Sequence, residues 1–393
     1  MALPGAVKVV ISARAVARLR AGHVWVYRSD LVGADGIAAG TLVQVVDERG
    51  RAHGSALYSS ASQIALRIVS RRPVKDLAEL IRERVRAAIR YREQVVSDTD
   101  ACRLVFSEAD FLPGLIVDRY NDVLTVQALT QAMDSEGARQ AVVSTLTEQL
   151  SPAGIVERVE ARVRELEQLP ARSSGLLAGE KTDTVFTMNG VRFQYRGLEG
   201  QKTGAFLDQR ENYAAAARYA HGEALDVFCY QGGFALHLAA ACSQVTGVDS
   251  SRPSLETAEQ NAALNGREVE WIEANAFDLL KDYSAAGRQY DTIVVDPPAF
   301  ARSRKTLETA LRGYKELNLR ALKMLRRGGV LVTCSCSYHV SEADFLQSVA
   351  SAAADARRTL RLIEKRGQAK DHPVLLGVPE SSYLKCLIFQ VAD

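Results

Sequence analysis

Cysteine is scarce in this sequence, and the cysteines present are not spaced for metal binding. Six of them lie scattered through 393 residues without a Cys-x-x-Cys pair, which argues against a structural zinc site and against the disulfide framework of a small secreted domain. We therefore predict no metal site and a reducing, cytoplasmic compartment. An apolar run at 7–11 precedes the first arginines, which reverses the order found in a signal peptide, so we expect the protein to remain unexported.

Long hydrophobic runs are also missing. The longest stretch without Asp, Glu, Lys or Arg lies between Asp226 and Asp249, where it could imitate a membrane span. It contains Gly232-Gly233 and several polar side chains, and it divides into a strand, a glycine turn, a helix and a second strand. The sequence therefore predicts no membrane partner.

Charge of one sign is not in excess over the whole chain. Lys and Arg number 49 against 47 Asp and Glu, a formal net charge of +2, which is too near neutral for a general polyanion binder. Residues 1–72, however, carry ten basic and four acidic side chains, with Trp25, Tyr27 and Tyr58 among the arginines. This segment fits a surface that follows RNA phosphates and stacks bases. Trp25 and Tyr27 alternate with valines on a predicted strand, so one face of that strand is equally expected to belong to the core.

The apolar pattern divides the chain into three predicted domains. Residues 1–72 contain short apolar runs separated by glycines, which indicates a small β-rich domain. Residues 73–184 are predicted to form a central α+β connector with a helix over 77–96, strands near 103–106, 112–120 and 123–129, and a helix near 134–150. From residue 185 to 393, strands alternate with helices, which is typical of a doubly wound, mostly parallel α/β sheet with its site at the carboxyl ends of the strands.

The segment DVFCYQGGF (226–234) joins a predicted buried strand to a helix, and Asp249 ends the next strand. Glycines permit close approach of the backbone to a ligand, and an acidic side chain at the second strand end can accept hydrogen bonds from ribose hydroxyls. The G-x-G-x-x-G spacing that places a pyrophosphate is absent. S-adenosylmethionine has no pyrophosphate and fits better than a dinucleotide, although a plain tight turn in a ligand-free sheet is the alternative.

Two further motifs end neighbouring predicted strands. In DPPAF (296–300) the prolines hold the exit loop extended, which exposes Asp296 and backbone carbonyls where a planar base could be hydrogen-bonded. In TCSCS (333–337) the next strand ends with a thiol at the same edge of the sheet. A purely structural turn is the alternative for DPPAF.

Together these motifs resemble the class I S-adenosylmethionine-dependent RNA methyltransferases, and specifically the ribosomal RNA large subunit methyltransferase I family. In that family an N-terminal PUA-like domain and a central domain precede a Rossmann-like methyltransferase domain. The resemblance covers nearly the whole chain, through HVWVYRSD, FLPGLIVDRY, QKTGAFLDQREN (201–212), DVFCYQGGF, EANAFD, DPPAF, SCS and DHPVLL. It implies methylation of carbon 5 of a cytosine in 23S ribosomal RNA, with S-adenosylmethionine as donor and S-adenosylhomocysteine as product.

The same resemblance assigns cofactor contacts. Asp226 and Gly232 would shape the methionine pocket, Asp249 would bind the ribose, and Asn275 would approach the adenine edge with an amide where many relatives carry Asp. The full set implied is Gln201, Lys202, Thr203, Gln209, Arg210, Asp226, Phe228, Tyr230, Gly232, Asp249, Ser250, Asn275, Ala276, Phe277, Asp296 and Pro297. A capped helix start at Asp208 is the alternative explanation for Lys202 and Glu211.

Carbon 5 of cytosine is a poor nucleophile, so its methylation calls for a thiolate that adds transiently to carbon 6. Cys334 and Cys336 share one face of the predicted strand, but Cys336 lies nearer the exposed end and aligns with the SCS pattern of the family. We therefore predict Cys336 as the nucleophile, Cys334 as a small core residue, and Asp296 as the group that binds the flipped cytosine. Related enzymes often carry a second cysteine where this chain has Pro297, and the sequence identifies no base for the carbon 5 proton.

Two other functions remain open at this point. DPP-type loops also serve methyltransferases that act on a base nitrogen, although Ala299 stands where that motif usually ends in an aromatic residue. A non-catalytic RNA-binding or ribosome-assembly factor could also retain this fold. Exposed strand edges would allow a homodimer in any of these cases.

Overall fold

The computed structural model describes residues 7–34, 36–199, 204–301 and 303–392, apart from the side chain of Arg304. The chain divides into two compact units, the first drawn from Met1–Phe186, Tyr195–Gly204 and Lys370–Ser381 and the second from Thr187–Gln194, Ala205–Ala369 and Ser382–Asp393. Over the described ranges, none of the helices combines the length and apolar character needed to cross a bilayer. No group of three or more His, Cys, Asp or Glu in those ranges is arranged to hold a metal ion.

The first unit begins with a five-stranded sheet. Its elements are β1 (Lys8–Ile11), α1 (Ala13–Arg20), β2 (Trp25–Tyr27), β3 (Leu42–Asp47), β4 (Ala52–Tyr58) and β5 (Ile64–Ser70), with strand order β1-β3-β4-β5-β2. The short apolar runs of residues 1–72 form these five strands, so the predicted β-rich character is confirmed. Helix α1 was not predicted, although the Ser12 side chain caps it by accepting a hydrogen bond from the Ala15 amide.

A second five-stranded sheet follows in the same unit. Its elements are α2 (Leu77–Val95), β6 (Ala101–Phe106), β7 (Leu115–Tyr120), β8 (Val123–Ala128), α3 (Glu136–Leu150), β9 (Gly154–Glu157), α4 (Ala161–Leu166) and β10 (Gly175–Gly179), with strand order β10-β9-β8-β7-β6. Helix α2 begins after Asp76, whose carboxylate caps it, and buries an apolar stripe that includes Leu80, Ile81 and Val85. This stripe contributes to one apolar core with α3 and the sheet.

The remaining elements include a hairpin and a seven-stranded sheet. They are β11 (Asp183–Met188), β12 (Val191–Arg196), α5 (Arg210–Tyr219), β13 (Glu223–Val227), α6 (Gly233–Leu238), β14 (Gln244–Asp249), α7 (Arg252–Leu264), β15 (Glu270–Glu273), α8 (Ala276–Ala285), β16 (Tyr290–Val295), α9 (Leu307–Met324), β17 (Leu325–Ser335), α10 (Glu342–Ala356), β18 (Leu360–Arg366) and β19 (Lys385–Val391). Strands β11 and β12 pair with each other, and the large sheet has the order β15-β14-β13-β16-β17-β19-β18. The predicted mostly parallel sheet is confirmed, because only the pairs made by β19 are antiparallel.

The register of the four central strands brings their carboxyl ends to one level. Val227 on β13 pairs with Val248 on β14 and with Val295 on β16, and Val295 pairs with Thr333 on β17. The residues that follow these positions therefore meet at one edge of the sheet. Ligand sites of parallel α/β sheets form at such an edge.

Candidate active site

The turn after β13 is held in an uncommon backbone conformation. Phe228 and Tyr230 have φ of 67° and 49°, and Gly232 has φ of 86°, a region that costs a residue with a side chain about 1–3 kcal/mol. Hydrogen bonds from the amide of Phe228 to the carbonyl of Val248 (2.9 Å) and from the amide of Gly232 to that of Cys229 (2.8 Å) fix this turn. Such strain is stored where the surrounding structure determines the backbone, as at binding sites.

Close packing explains in part why the turn after β13 contains two glycines. A Cβ atom on Gly232 would lie 2.9 Å from the Trp271 ring, and one on Gly233 would lie 2.5 Å from the Tyr213 ring. Both contacts are closer than real side chains allow, so the turn would need glycine at these positions even without a ligand. The glycines alone therefore do not identify a cofactor.

Asp226 supplies an observation that does point to a ligand. Its carboxylate is fully buried and Oδ2 accepts a hydrogen bond of 2.8 Å from the Ala235 amide, while Oδ1 has no hydrogen-bond partner among the described residues. Burial, together with the negative charges of Asp296 and Asp249, raises the pKa of Asp226 to about 8. An unpaired buried oxygen is unfavourable, and a cationic amino group is a partner that would satisfy it.

Asp249 links two loops of this edge. Its Oδ2 accepts a hydrogen bond from the Tyr230 amide and its Oδ1 accepts one from the Ser251 amide, both at 2.9 Å. Asp249 is half-buried, and Ser250, which follows it in the chain, is exposed. Each carboxylate oxygen retains acceptor capacity, so the fixed side chain could still accept hydrogen bonds from hydroxyl groups.

The side-chain amide of Asn275 caps a helix, which limits the hydrogen bonds that it can offer a ligand. Its Oδ1 caps α8 by accepting hydrogen bonds from the amides of Phe277 (2.9 Å) and Asp278 (3.4 Å). The oxygen is therefore used by the helix, which leaves the Nδ2 group as the one that can donate to an adenine edge. Ala276 is buried, whereas Phe277 is 37% exposed with its ring centroid 6.0 Å from that of Phe300.

A chain of side chains fixes Asp296. The Gln209 amide donates from Nε2 to Asp296 Oδ2 (2.9 Å), its Oε1 accepts from Asn212 Nδ2 (2.6 Å), and Asn212 Oδ1 accepts from Arg366 Nε (3.0 Å). Sequence reasoning included Gln209 and Asp296 but missed Asn212 and Arg366. Their connection depends on residues far apart in the chain, and no local pattern reports it.

The alternative of a helix start capped by Asp208 is wrong. Helix α5 begins at Arg210 after a 3₁₀ turn, and no side chain caps it. Asp208 instead accepts a hydrogen bond of 2.6 Å from the Tyr383 hydroxyl. Arg210 is buried, with its guanidinium 3.6 Å from the carboxylate of Glu211.

The two cysteines at the end of β17 differ in access. Cys334 is fully buried opposite Cys386 of β19, and burial raises its pKa well above the usual range of a thiol. Cys336 is half-buried, and its Sγ lies 3.9 Å from the carbonyl oxygen of Pro297 in the loop after β16. Only Cys336 of this pair is accessible next to the DPPAF loop.

A polar network behind Cys336 was not predicted. The hydroxyl of Tyr314 lies 2.9 Å from both Ser335 Oγ and Ser337 Oγ, and the Lys385 ammonium donates to the carbonyls of Ser337 (2.7 Å) and Tyr383 (2.9 Å). Burial lowers the pKa of Lys385 to about 8, and the charge of Cys336 acts in the opposite direction. The lysine at the start of β19, a strand that is otherwise apolar except for Gln390, was the signal that the sequence offered.

Several predicted positions lie elsewhere. Gln201, Lys202 and Thr203 fall outside the described residues. Tyr58 is buried, so the expectation that it stacks RNA bases is wrong. Trp25 donates its indole N–H to Glu108 (3.1 Å), so that group already has a partner. On β2 the buried position is Val26, and Trp25 and Tyr27 lie half-buried on the opposite face of the strand.

Comparison with known proteins adds the family. The model of an S-adenosylmethionine-dependent methyltransferase matches residues 109–390, and that of a PUA-like domain matches residues 9–71. Ribosomal RNA large subunit methyltransferase I of Photobacterium profundum is 37% identical over 381 residues, covering 93% of this chain and 95% of the relative. The protein of the same name from Escherichia coli O139:H28 is 35% identical over 375 residues, covering 92% and 94%.

Solved structures share the fold. A proposed methyltransferase complexed with SAH has a TM-score of 0.84 at 19% identity, covering 98% of this chain and 100% of that chain. A proposed SAM-dependent methyltransferase from Streptococcus mutans has a TM-score of 0.82 at 19% identity with the same coverage. The predicted class I fold with an N-terminal PUA-like domain is thereby confirmed.

Proposed function

The chain belongs to the ribosomal RNA large subunit methyltransferase I family and depends on S-adenosylmethionine, and from this premise we propose that it methylates carbon 5 of a cytosine in 23S ribosomal RNA. One observation carries the choice of atom: the accessible thiol of Cys336 lies 3.9 Å from the Pro297 carbonyl, directly beside the loop that Asp296 begins. A nucleophile at this position is required at carbon 5, whereas methylation of a base nitrogen does not need one.

The residues at the sheet edge suit the cofactor. Asp226 Oδ1 would accept from the amino group of the methionine moiety, Asp249 from the ribose hydroxyls, and Asn275 Nδ2 would donate to the adenine. Phe228 and Tyr230, both half-buried in the turn after β13, would lie beside it. Bound S-adenosylmethionine supplies an electrophilic methyl group at this edge.

Cys336 and Asp296 would act on the base. The Cys336 thiolate adds to carbon 6 of cytosine, and the electron pair of the C5–C6 double bond moves to carbon 5, which bonds the methyl group while the sulfonium sulfur leaves as a neutral thioether. Loss of the carbon 5 proton returns the electron pair to the ring and expels the thiolate. Asp296, fixed by Gln209 through one oxygen, hydrogen-bonds the flipped base through the other.

Lys385 is a positioning residue in this scheme. Its ammonium holds the carbonyl of Ser337, next in the chain to Cys336, and its charge interacts with the thiol. A cation beside a thiol favours the thiolate. Lys385 therefore both fixes the loop and supports the reactive form of the nucleophile.

Three finer statements belong to the same proposal. Residues 1–72 bind RNA, residues 73–184 connect the two flanking domains, and residues 185–393 catalyse the methyl transfer. The reaction takes place in the cytoplasm, and exposed strand edges would allow the protein to form a homodimer.

The test is methyl transfer from isotope-labelled S-adenosylmethionine to unmodified 23S RNA, followed by mass spectrometry of the nucleosides. We expect 5-methylcytidine from the wild type and from Cys334→Ala, and no product from Cys336→Ala. Label on another nucleoside would favour the base-nitrogen alternative. Cofactor binding without any transfer would favour the assembly factor, and full activity of Cys336→Ala would refute the covalent scheme.

A further inference from the structure

The first unit contains a positively charged cavity of about 880 Å³. Four arginines and two histidines line it, and no Asp or Glu does so among the described residues; the basic groups are Arg20, His23, His53, Arg71, Arg72 and Arg84. A concave surface with one sign of charge concentrates counter-ions, in this case anions. All of its lining residues belong to the first unit.

Three of these cations are available to a ligand. Arg20 ends α1, and Arg71 and Arg72 follow β5; all three are exposed. In the part of the chain that the structure describes, no carboxylate forms an ion pair with any of them. By contrast, Arg28 donates to the carbonyls of Ser59 and Ser62 in the loop between β4 and β5 and is already satisfied.

An aromatic side chain stands beside the cations. Phe111 is 39% exposed and adopts φ of 56°, in the left-handed region that disfavours a side chain of this size. The Arg84 guanidinium lies 4.9 Å from its ring centroid and donates to the Val69 carbonyl (2.8 Å). The ring is therefore held at the cavity by a cation–π contact, and the Phe111 side chain stays partly exposed there.

We propose that this cavity binds an unpaired segment of the RNA substrate, with Arg20, Arg71 and Arg72 on phosphates and a base stacked on Phe111 and Arg84. This rests on the proposed function, which makes RNA the substrate. Free arginines next to an exposed ring are the combination that single-stranded nucleic acid requires, because phosphates need cations and an unstacked base needs a flat apolar surface. A duplex keeps its bases stacked internally and would not use the ring.

The variants separate the two parts of the site. Arg71→Ala/Arg72→Ala removes two exposed cations that support no core contact, and Phe111→Leu removes the ring while keeping an apolar side chain. Lys8→Ala/Arg49→Ala removes two exposed cations of the same region that do not line the cavity and serves as the matched control. Affinity for an unpaired 23S RNA fragment is measured by fluorescence anisotropy over a range of salt concentrations, together with KM and kcat for methyl transfer and the affinity for S-adenosylhomocysteine.

We expect Arg71→Ala/Arg72→Ala to weaken RNA binding and raise KM about tenfold, and to reduce the slope of log Kd against log salt by about two. Phe111→Leu should weaken binding about tenfold without changing that slope. Both should leave kcat and the cofactor affinity within about twofold of wild type, as should every parameter in the control.

Equal losses in the control would show general attraction only and would overturn the proposal, as would unchanged binding in both cavity variants. The proposed function can fail separately. If RNA binding depends on the cavity residues but no 5-methylcytidine forms, the methylation assignment fails and the cavity stands.

Discussion

At the scale of single residues, the site is built from side chains whose environment separates them from chemically identical neighbours. Cys334 and Cys336 are two residues apart, yet one is fully buried and the other half-buried beside Pro297. Asp226 and Asp249 both follow or end parallel strands, yet one has an oxygen without a partner among the described residues and the other accepts two backbone amides. Residue type alone does not assign these roles; burial does.

Asp226 leads to a prediction about cofactor binding. Its pKa of about 8 keeps the carboxyl largely protonated at pH 7, with Asp296 and Asp249 as the charges that face it. A cationic amino group at Oδ1 favours the ionised form, so binding should release a proton and affinity should rise as pH increases from about 6 to 8.

The measurement is calorimetric titration with S-adenosylhomocysteine in buffers of different ionisation enthalpy. Wild type should release a substantial fraction of one proton at pH 7, whereas Asp226→Asn should release almost none and bind more weakly. If the variant released as many protons as wild type, the assignment of Asp226 to the methionine pocket would be wrong.

Lys385 leads to a second prediction. Lys385→Met keeps the length of the side chain but removes the hydrogen bonds to the carbonyls of Ser337 and Tyr383 and the charge next to Cys336. We expect kcat to fall about tenfold or more and its rising limb to shift to higher pH, because the thiolate loses a stabilising cation.

The control for this substitution is Lys365→Met, which removes an exposed lysine on the neighbouring strand β18 that is paired with Glu342 of α10. It should leave both kcat and the pH profile unchanged. A lower melting temperature for Lys385→Met with an unmoved pH limb would show that Lys385 only supports the fold.

At the scale of elements, α6 connects the glycine turn to the β11–β12 hairpin through a buried histidine. His237 Nδ1 lies 2.7 Å from the Gly233 carbonyl oxygen, and Nε2 lies 3.2 Å from that of Met188. Burial lowers the pKa of His237 to about 4, so the folded protein resists a proton that the unfolded chain accepts at its ordinary pKa of about 6.5.

This depressed pKa predicts how stability depends on pH. Between pH 7.5 and pH 5 the unfolded chain takes up the proton and the folded chain does not, so the contribution of His237 to stability falls by about 2 kcal/mol. Comparison of urea unfolding for wild type and His237→Gln isolates this contribution, because other groups such as Asp226 titrate in both. The stability difference between the two proteins should shrink by that amount at pH 5; a constant difference would contradict the account.

Most elements followed from local sequence signals, and the exceptions have physical causes. Buried parallel strands read as apolar runs, so β13, β14, β16 and β17 were predictable. Helix α1 was missed because arginines dilute its short apolar stripe. Strand β18 was missed because its side chains are half exposed and do not alternate.

The candidate site was predictable only where it depends on strand ends. Asp249, Asp296 and Cys336 end strands or follow them directly, and parallel order brings such positions together. The position of Lys385 in the site follows from the antiparallel pairing of β19 with β17. The position of Asn212 follows from its contact with Arg366, which is more than 150 residues away in the chain. Non-local pairing of this kind leaves no periodic signal in the sequence.

Over the whole molecule, positive and negative charges nearly balance, but they are unevenly distributed along the chain. The net charge of +2 combines a basic first segment of 72 residues with an acidic remainder. Buried partners neutralise some of the basic groups, such as Arg67 next to Glu167 at 3.0 Å, while Arg71 and Arg72 remain exposed. We therefore expect electrostatic attraction to RNA to come from these exposed positions and not from the total charge.

The proposed mechanism requires a covalent bond between Cys336 and the target cytosine, and this bond can be trapped. RNA containing 5-fluorocytidine at the target has no carbon 5 proton, so after methyl transfer the thiolate cannot be expelled and the adduct persists. We predict a denaturation-resistant protein–RNA species that requires S-adenosylmethionine, maps to the peptide with Cys336 by mass spectrometry, persists in Cys334→Ala and is absent in Cys336→Ala. An adduct on another residue, or methylation of ordinary RNA with no adduct on the fluorinated one, would contradict the account.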